Sequence, residues 1–472
     1  MKIPTFFCAL FLMWAALTPK TLAQKTPLPK DLPPYGPEKP LNAPSVKAAK
    51  LENGLTVWLV SEPAFPQIAL DLAVRGGFAA DPADRPGISQ LLAATVTQGT
   101  ATRSAKQIAQ EIQAAGGDLS AQPHADSLEV STTVLSEKAD LGMTVLADVV
   151  QHASFADSEV TLAKRNAADD LQQRESEPSF LARRAMARVL FGDHPYHVIA
   201  PTTESIDAST PADLRKAYAE RFRPDQAVLV VVGDFQNDKM MDLIRAKFGV
   251  WKLPSEPPLP PVAAVPTEAK HSIFLVPRPG SVQTTLELAA FGPERNAPDY
   301  EAAQVVNAIY GGEFGSRLVL NIREDKGYTY SPYSYIQTRS AAGTIISHAD
   351  VRNAVTGPSF NEITYELNRM ATTSPTDEEL TTARRYIVGG EAIQLQARSS
   401  VASELADNWI DGLPPEEIGI YGEKIDKTTI AEVDAAALKY FPAARTATVV
   451  VGEEQVIRKA LSPFGLPIQT LK

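Results

Sequence analysis

The chain has 472 residues, a formal net charge of −11 and a single cysteine. An acidic balance without a basic stripe argues against nucleic-acid binding, which needs clustered Lys and Arg. The length suffices for a large core without disulfide staples, and the lone Cys8, inside an apolar N-terminal run, supports no disulfide framework or thiol nucleophile in the remaining chain.

The first residues read as an export signal. Lys2 supplies a positive start, "TFFCALFLMWAALT" is an apolar run of about 14 residues, and "TLA" before Gln24 resembles a small-residue cleavage site. That run is too short to span a bilayer comfortably, so residues 1–23 are expected to be a signal peptide, with a retained anchor as the alternative. No later run reaches membrane-spanning length. The address expected is bacterial and periplasmic, soluble or peripherally associated. Residues 24–45 are proline-rich and read as an extended arm. A second proline-rich stretch, 251–270, reads as a stiff linker, because proline continues neither a helix nor a central strand. The linker divides a first domain (46–250) from a second (271–472).

The two domains are similar in sequence. "DSEVTLAKR" from Asp157 matches "DEELTTARR" from Asp377 at an offset of 220, and "ADLRKAYAERF" from Ala212 matches "AEVDAAALKYF" from Ala431 at 219. The apolar strands "AVLVVVGDF" and "TATVVVGEE" follow at that same offset of 219, and "QIALDLAV" corresponds to "QTTLELAA". Two copies are too few for a solenoid. The pattern is a tandem duplication.

Within the first copy, "LTVWLVSE", "IALDLAVRGG" and "LEVSTTVL" are short and β-branched, which predicts strands. "SAKQIAQEIQAAGG" has helical spacing and a Gly-Gly stop. "DSEVTLAKRNAADDLQQRESEP" is predicted as a helix capped by Asp157 and ending before Pro178. Strands segregated from long helices predict an α+β class: two tandem α/β-sandwich domains, each an antiparallel-rich sheet packed with helices.

"LENGLTVWLV", "PGISQLLAATVTQGT", "GDHPYH" and the paired "VVVG" strands together resemble the pitrilysin/insulinase family of zinc metallopeptidases, which includes the mitochondrial processing peptidase. The resemblance spans residues 45–465 and implies that the domains build half of a peptidase chamber. Family members carry His-x-x-Glu-His on the helix that "PGISQLLAATVTQGT" matches. Residues at i and i+4 share a helix face, so two imidazoles can hold one zinc, and the intervening Glu can take a proton from bound water. Here Gln90 and Ala94 stand at the two histidine positions, Ala93 at the glutamate and Asp170 at the downstream fourth ligand. Alanine offers no lone pair, and Gln with one carboxylate is not the donor set of a catalytic zinc. No cofactor is therefore expected in this chain. His194 and His197, the two histidines close in sequence, flank Pro195 in a turn-like context where an ordinary loop is the default reading.

The second copy carries "YGGEFGSRLVLNIREDKGYTYSPYSY" from Tyr310. Lys326-Gly327 predicts a helix end and "YTYSPYSYI" a strand, so Arg323 on the last turn and Tyr330 on the strand would point into one space. From residue chemistry alone, a helix-end charge and a strand aromatic remain open. The resemblance implies that Arg323 and Tyr330 contact substrate and its developing oxyanion, and that Gly311, Gly312 and Gly315 form a substrate-contacting loop. One half of the chemistry is thus absent and the other present. The reading is a non-catalytic, substrate-binding subunit that shares a site with a homologous zinc-bearing partner, acting on peptides or unfolded segments. The alternative is a structural or binding scaffold of the same family with no part in proteolysis. A rebuilt metal site is a further rival.

Overall fold

A computed structural model of the chain describes residues 44–471. The signal segment 1–23 lies outside the described residues, as does nearly all of the arm 24–45. Among the described residues no helix is long and apolar enough to cross a membrane.

Two six-stranded mixed sheets organise the molecule. The first contains β1 (Lys47–Lys50), β2 (Thr56–Ser61), β3 (Gln67–Arg75), β4 (Asp118–Pro123), β5 (Ser127–Leu135) and β6 (Ala227–Gly233). The second contains β7 (Ile273–Pro277), β8 (Gln283–Gly292), β9 (Tyr333–Arg339), β10 (Ala342–Arg352), β11 (Ala447–Gly452) and β12 (Ile468–Thr470). Their orders are β1-β2-β6-β3-β5-β4 and β12-β7-β11-β8-β10-β9. Five of the six positions, from β2 and β7 to the β4 and β9 edges, correspond one to one, as a duplication requires. The remaining edge differs: β1 joins β2 antiparallel, whereas β12 joins β7 parallel. The α+β class with antiparallel-rich sheets stands, the parallel pairs being β2 with β6, β7 with β11 and β7 with β12.

The central strands are apolar on both faces, and their period of two sorts each residue to a layer. In β6, Leu229 and Val231 enter one core with Leu70 and Leu72 of β3, while Val228, Val230 and Val232 enter another with Ala69 and Ala73. A continuous apolar run such as "AVLVVVG" marks a strand covered on both sides. The source of the second cover is the main feature of the fold. Helix Arg398–Ile410 of the second copy lies on the first sheet, placing Val401, Leu405 and Ile410 against Trp58 and Val230. Helix Pro178–Phe191 of the first copy lies on the second sheet, placing Met186, Leu190 and Phe191 against Ala289 and Val449. The two helices are repeat equivalents, each starting 220 residues from the other. Each copy lends its partner an outer layer.

Between Phe248 and Ile273 the chain forms no helix or strand. This proline-rich stretch is seated: Val262, Val265 and Ala269 pack beside the second sheet's outer core, and the His194 ring nitrogen Nε2 lies 3.0 Å from the Ala263 carbonyl. His197 turns back to the His194 carbonyl at 2.8 Å, so "GDHPYH" is a short 3₁₀ turn that braces the linker. One local expectation is corrected. Helix Asp157–Glu175 is preceded by Ala156 as its cap, without a side-chain capping bond, so Asp157 is the first helical residue. Its charge still favours the helix N-terminus.

Candidate functional site

The degenerate motif sits on helix Ile88–Val96, which covers the first sheet on the face opposite the exchanged helix. Its start is fixed by burial. Gly87 caps it with φ 83°, and a Cβ there would come within 2.2 Å of the Pro201 Cα. Only glycine meets both demands. Asp81 accepts hydrogen bonds from the Gly87 and Ser89 amides and from Arg221, whose side chain is fully buried as its own is. Burial raises the Asp81 carboxyl to about 6, although Arg221 and the two amides oppose the shift.

The positions that match the zinc motif are separated by their environment. Gln90 is half-buried, Ala93 is buried at 4% exposure within the core, and Ala94 is exposed. Asp170, on helix Asp157–Glu175 packed beside it, is exposed and pairs with Arg174 at 3.6 Å. Two methyl groups, a carboxamide and a carboxylate held by an arginine do not fit a zinc ion. Among the described residues, no three His, Cys, Asp or Glu side chains gather so as to hold a metal ion.

The second half presents a different surface. Helix Tyr300–Asn307 runs on through a π-helical turn, Ala308–Gly312, and a second helical segment spans Arg317 to Asp325, its latter part also π-helical. Such wide turns re-aim side chains and recur at functional sites. Gly311 is buried, and a Cβ there would stand 2.8 Å from the Ser334 Cβ, so close approach of β9 accounts for this glycine. Gly312 is half-buried, its Cβ position 2.9 Å from the Asn307 carboxamide. Gly315 is exposed with open space around it. Of the three, Gly315 is the most exposed.

Arg323 is partly exposed. Its guanidinium lies 4.3 Å over the Phe314 ring, with Nε 3.3 Å from Glu324. Phe314 belongs to the glycine-bearing loop and is 63% exposed, so this contact brings loop and arginine together. Tyr330 is not on a strand as predicted. β9 begins at Tyr333, and Tyr328 and Tyr330 lie in the preceding loop. The cause is Gly327, at φ 61°, together with the Tyr328 amide turning back to the Ile322 carbonyl at 2.9 Å, which delays the strand. Tyr330 is 89% exposed, with no hydrogen bond among the described residues.

One group of charged side chains was missed from sequence. Glu404 and Asp407 project from the exchanged helix Arg398–Ile410, and Asp411 follows it, all lining a cavity between the two halves. Their spacing places them on one helix face, which from sequence reads as a solvated side. The visible signal was Asp71, a charge inside the apolar strand "QIALDLAVR", which is buried under that same helix.

Comparison with known proteins follows the same outline. Residues 56–200 match the model described as "Insulinase (Peptidase family M16)", and residues 209–387 match "Peptidase M16 inactive domain". An uncharacterized zinc protease of Mycobacterium leprae is 26% identical over 85% of this chain and 90% of its own length. A crystal structure titled peptidase M16 inactive domain, from Pseudomonas fluorescens, aligns with a TM-score of 0.81 at 25% identity, covering 87% of this chain and 98% of that one. A protease from Helicobacter pylori shares the fold at a TM-score of 0.81 and 18% identity, over 87% of this chain and 100% of its own.

Proposed function

Because the chain belongs to the insulinase (M16) family of peptidases, we propose that it is the non-catalytic, substrate-binding subunit of a heterodimeric zinc metallopeptidase. The partner is a homologue that carries the His-x-x-Glu-His motif this chain lacks. The substrates are peptides or unfolded segments in the cell envelope, an address supported by the apolar run after Lys2. The observation that carries this reading is an asymmetry. The first half has two alanines where ligand and base would stand, while the second half holds Arg323 over Phe314 and leaves the Tyr330 hydroxyl open to solvent. Among the described residues, nothing in this chain's own packing uses that hydroxyl.

The chemistry asked of this chain is electrostatic. A guanidinium donates to a substrate carbonyl, and a phenol donates to the oxygen where negative charge develops. The Phe314 ring lies against the guanidinium by a cation–π contact, and Nε is 3.3 Å from Glu324. Gly315 lets a peptide backbone approach the same loop.

The test pairs the chain with a zinc-motif homologue from the same organism. Light scattering after gel filtration should show a mixed dimer, and peptide hydrolysis should need both chains. Tyr330→Phe keeps the ring and removes one hydroxyl. It should leave assembly intact and lower the hydrolysis rate about a hundred- to a thousand-fold, the usual effect of losing one oxyanion donor. Arg323→Ala should act in the same direction. Wild-type rates from an assembled Tyr330→Phe complex would refute the shared site and leave a scaffold.

A further inference from the structure

Arg323 is carried by a segment whose two ends are tied to different helices. At its start Arg317, 6% exposed, makes a two-pronged ion pair with Glu379, Nε to Oε1 at 2.6 Å and Nη2 to Oε2 at 3.0 Å. Glu379 belongs to helix Asp377–Gln394. Towards its end the Asn321 carboxamide donates to Glu366 at 2.8 Å and to Glu362 at 3.1 Å, both on helix Thr356–Thr372. Lys326 lies 3.6 Å from the same Glu362, and Arg369 is 3.2 Å from Glu366. Between these ties Ile322 is fully buried in the second core.

The backbone depends on the second tie. From Leu320 to Asp325 the turn is π-helical, and the Lys326 amide donates to the Asn321 carbonyl, five residues back, at 3.2 Å. Wide turns of this kind are rare, and closing one to an ordinary α-turn rotates the residues it carries. Asn321 opens the turn with its carbonyl and fastens it with its side chain. Arg323 stands two residues further, roughly half a turn round the helix. A contact that holds Asn321 against helix Thr356–Thr372 therefore directs Arg323 to the opposite side, where its guanidinium meets the Phe314 ring.

The partners are chosen for this contact. Glu366 is 1% exposed, and a carboxylate that deep is kept only by its donors. Among the described residues those donors are Asn321 and Arg369, and the Arg369 contact to the shared oxygen Oε1 is the longer one, at 3.5 Å. The Asn321 Oδ1 is buried without a hydrogen-bond partner among the described residues. The carboxamide is thus engaged through its nitrogen, as the donor that two carboxylates of one helix require.

We propose that Asn321, fastened by Glu366, is a positioning residue for Arg323. It fixes the turn that aims the guanidinium and itself meets no substrate. The inference rests on the shared-site reading, in which Arg323 donates to a substrate carbonyl. A donor aimed in advance stabilises developing charge without reorganising as the reaction proceeds. A donor on a loosened turn must be ordered at that moment, so the loss falls on the rate more than on the affinity. Arg317 and Glu379 set where the segment starts, and Asn321 and Glu366 set how its last turn is rotated.

The test is a double-mutant cycle in the complex with the zinc-motif homologue. Asn321→Leu nearly keeps the volume and removes both donors. It should lower kcat about tenfold, short of the roughly hundredfold that a misplacement of about 1 Å can cost, with KM within about twofold of wild type. In an Arg323→Ala background the same change should have no further effect, because it acts only through that guanidinium. Glu366→Gln keeps an acceptor for the carboxamide and should retain most of the wild-type rate. Hydrogen exchange of this chain alone gives a readout that needs no activity. Amides of residues 317–328 should exchange faster in Asn321→Leu and as in wild type in Glu366→Gln, with the strands of both sheets unchanged as the control for folding. Equal loss of rate in both backgrounds would make the role merely structural and overturn the inference. So would unchanged exchange, or an unchanged rate in Asn321→Leu where Arg323→Ala lowers it. An inactive assembly, or one in which Arg323→Ala has no effect, would refute the shared-site reading itself, and the inference falls with it.

Discussion

The helix exchange predicts that damage placed in the second copy will unfold the first. Leu405 is fully buried, in a helix belonging to the second half, against Trp58 and Val230 of the first sheet. Leu405→Ala removes this side chain from a packed layer and should cost about 3 kcal/mol, within the 2–5 kcal/mol range for such truncations. The whole layer is larger. Burying Val401, Leu405 and Ile410 contributes roughly 1.5–3 kcal/mol each. The sum is comparable to the entire stability of a typical domain, about 5–15 kcal/mol. Urea unfolding followed by tryptophan fluorescence reads both sides of the contact, since Trp58 lies on the sheet and Trp409 on the helix. Fluorescence and far-ultraviolet circular dichroism should give one coincident transition, moved to lower urea in Leu405→Ala. Two separate transitions, with the Trp58-bearing half unmoved, would refute the coupling. So would a soluble, cooperatively folding fragment ending before the linker, because that fragment would leave Trp58, Val60, Ala69 and Val232 uncovered.

Other expectations follow from the same geometry. Rebuilding the motif should be unequal in cost: Ala94→His, on an exposed position, should change stability by less than about 0.5 kcal/mol, whereas Ala93→Glu puts a carboxylate into the core and should cost about 2 kcal/mol or more by thermal denaturation. The purified chain should hold no stoichiometric zinc by elemental analysis, and about one zinc per chain after mild chelation would refute the donor-set argument. Stability should fall as pH rises from 6 to 9. His348, raised to about 9 because Asp350 and Glu287 outweigh burial, stabilises fully below its unfolded pKa and loses this through 9. Glu404, raised to about 8, binds its proton more tightly when folded and loses that advantage over the same interval. The sign is the same for both, on the order of 2 kcal/mol for Glu404 after allowance for its coupling to Glu391. Glu404→Gln should flatten the profile, and a melting temperature that rose with pH would reverse the sign and reject it.

The strands and their duplication were legible because they depend on local period. "AVLVVVG" declares a strand buried on both faces, and the near-constant offset declares the repeat. What covers the second face was not legible. Helices Pro178–Phe191 and Arg398–Ile410 have apolar stripes that any sheet could accept, and sequence does not say whose. Glu404 was missed for that reason, since a helix with carboxylates on one side reads as half solvated unless the opposing half is known; Asp407, beside it, is exposed. At the candidate site, the losses at Gln90, Ala93 and Ala94 could be read directly. The loop at Tyr330 could not, because "YTYSPYSYI" has full strand propensity and a single left-handed Gly327 decides where the strand begins.

The exchange also bears on why a chain whose zinc-motif positions are Gln90, Ala93 and Ala94 keeps the domain that carries them. If the two copies were independent, the first could be lost once its ligands were gone, with no effect on Arg323 or Tyr330. They are not independent. Without the first copy the second sheet loses Met186, Leu190 and Phe191 from its outer face, and Ala289, Val449 and Val451 would meet water. The "GDHPYH" turn reaches further. Tyr196 donates to Asp126 at 2.8 Å and its hydroxyl accepts the Ala341 amide at 3.1 Å, tying the first copy to the turn between β9 and β10. β9 is the strand that follows Tyr330. Folding physics alone therefore retains the degenerate half. Its structural duty is to brace the turn between β9 and β10, at the far end of the strand that the Tyr330 loop leads into.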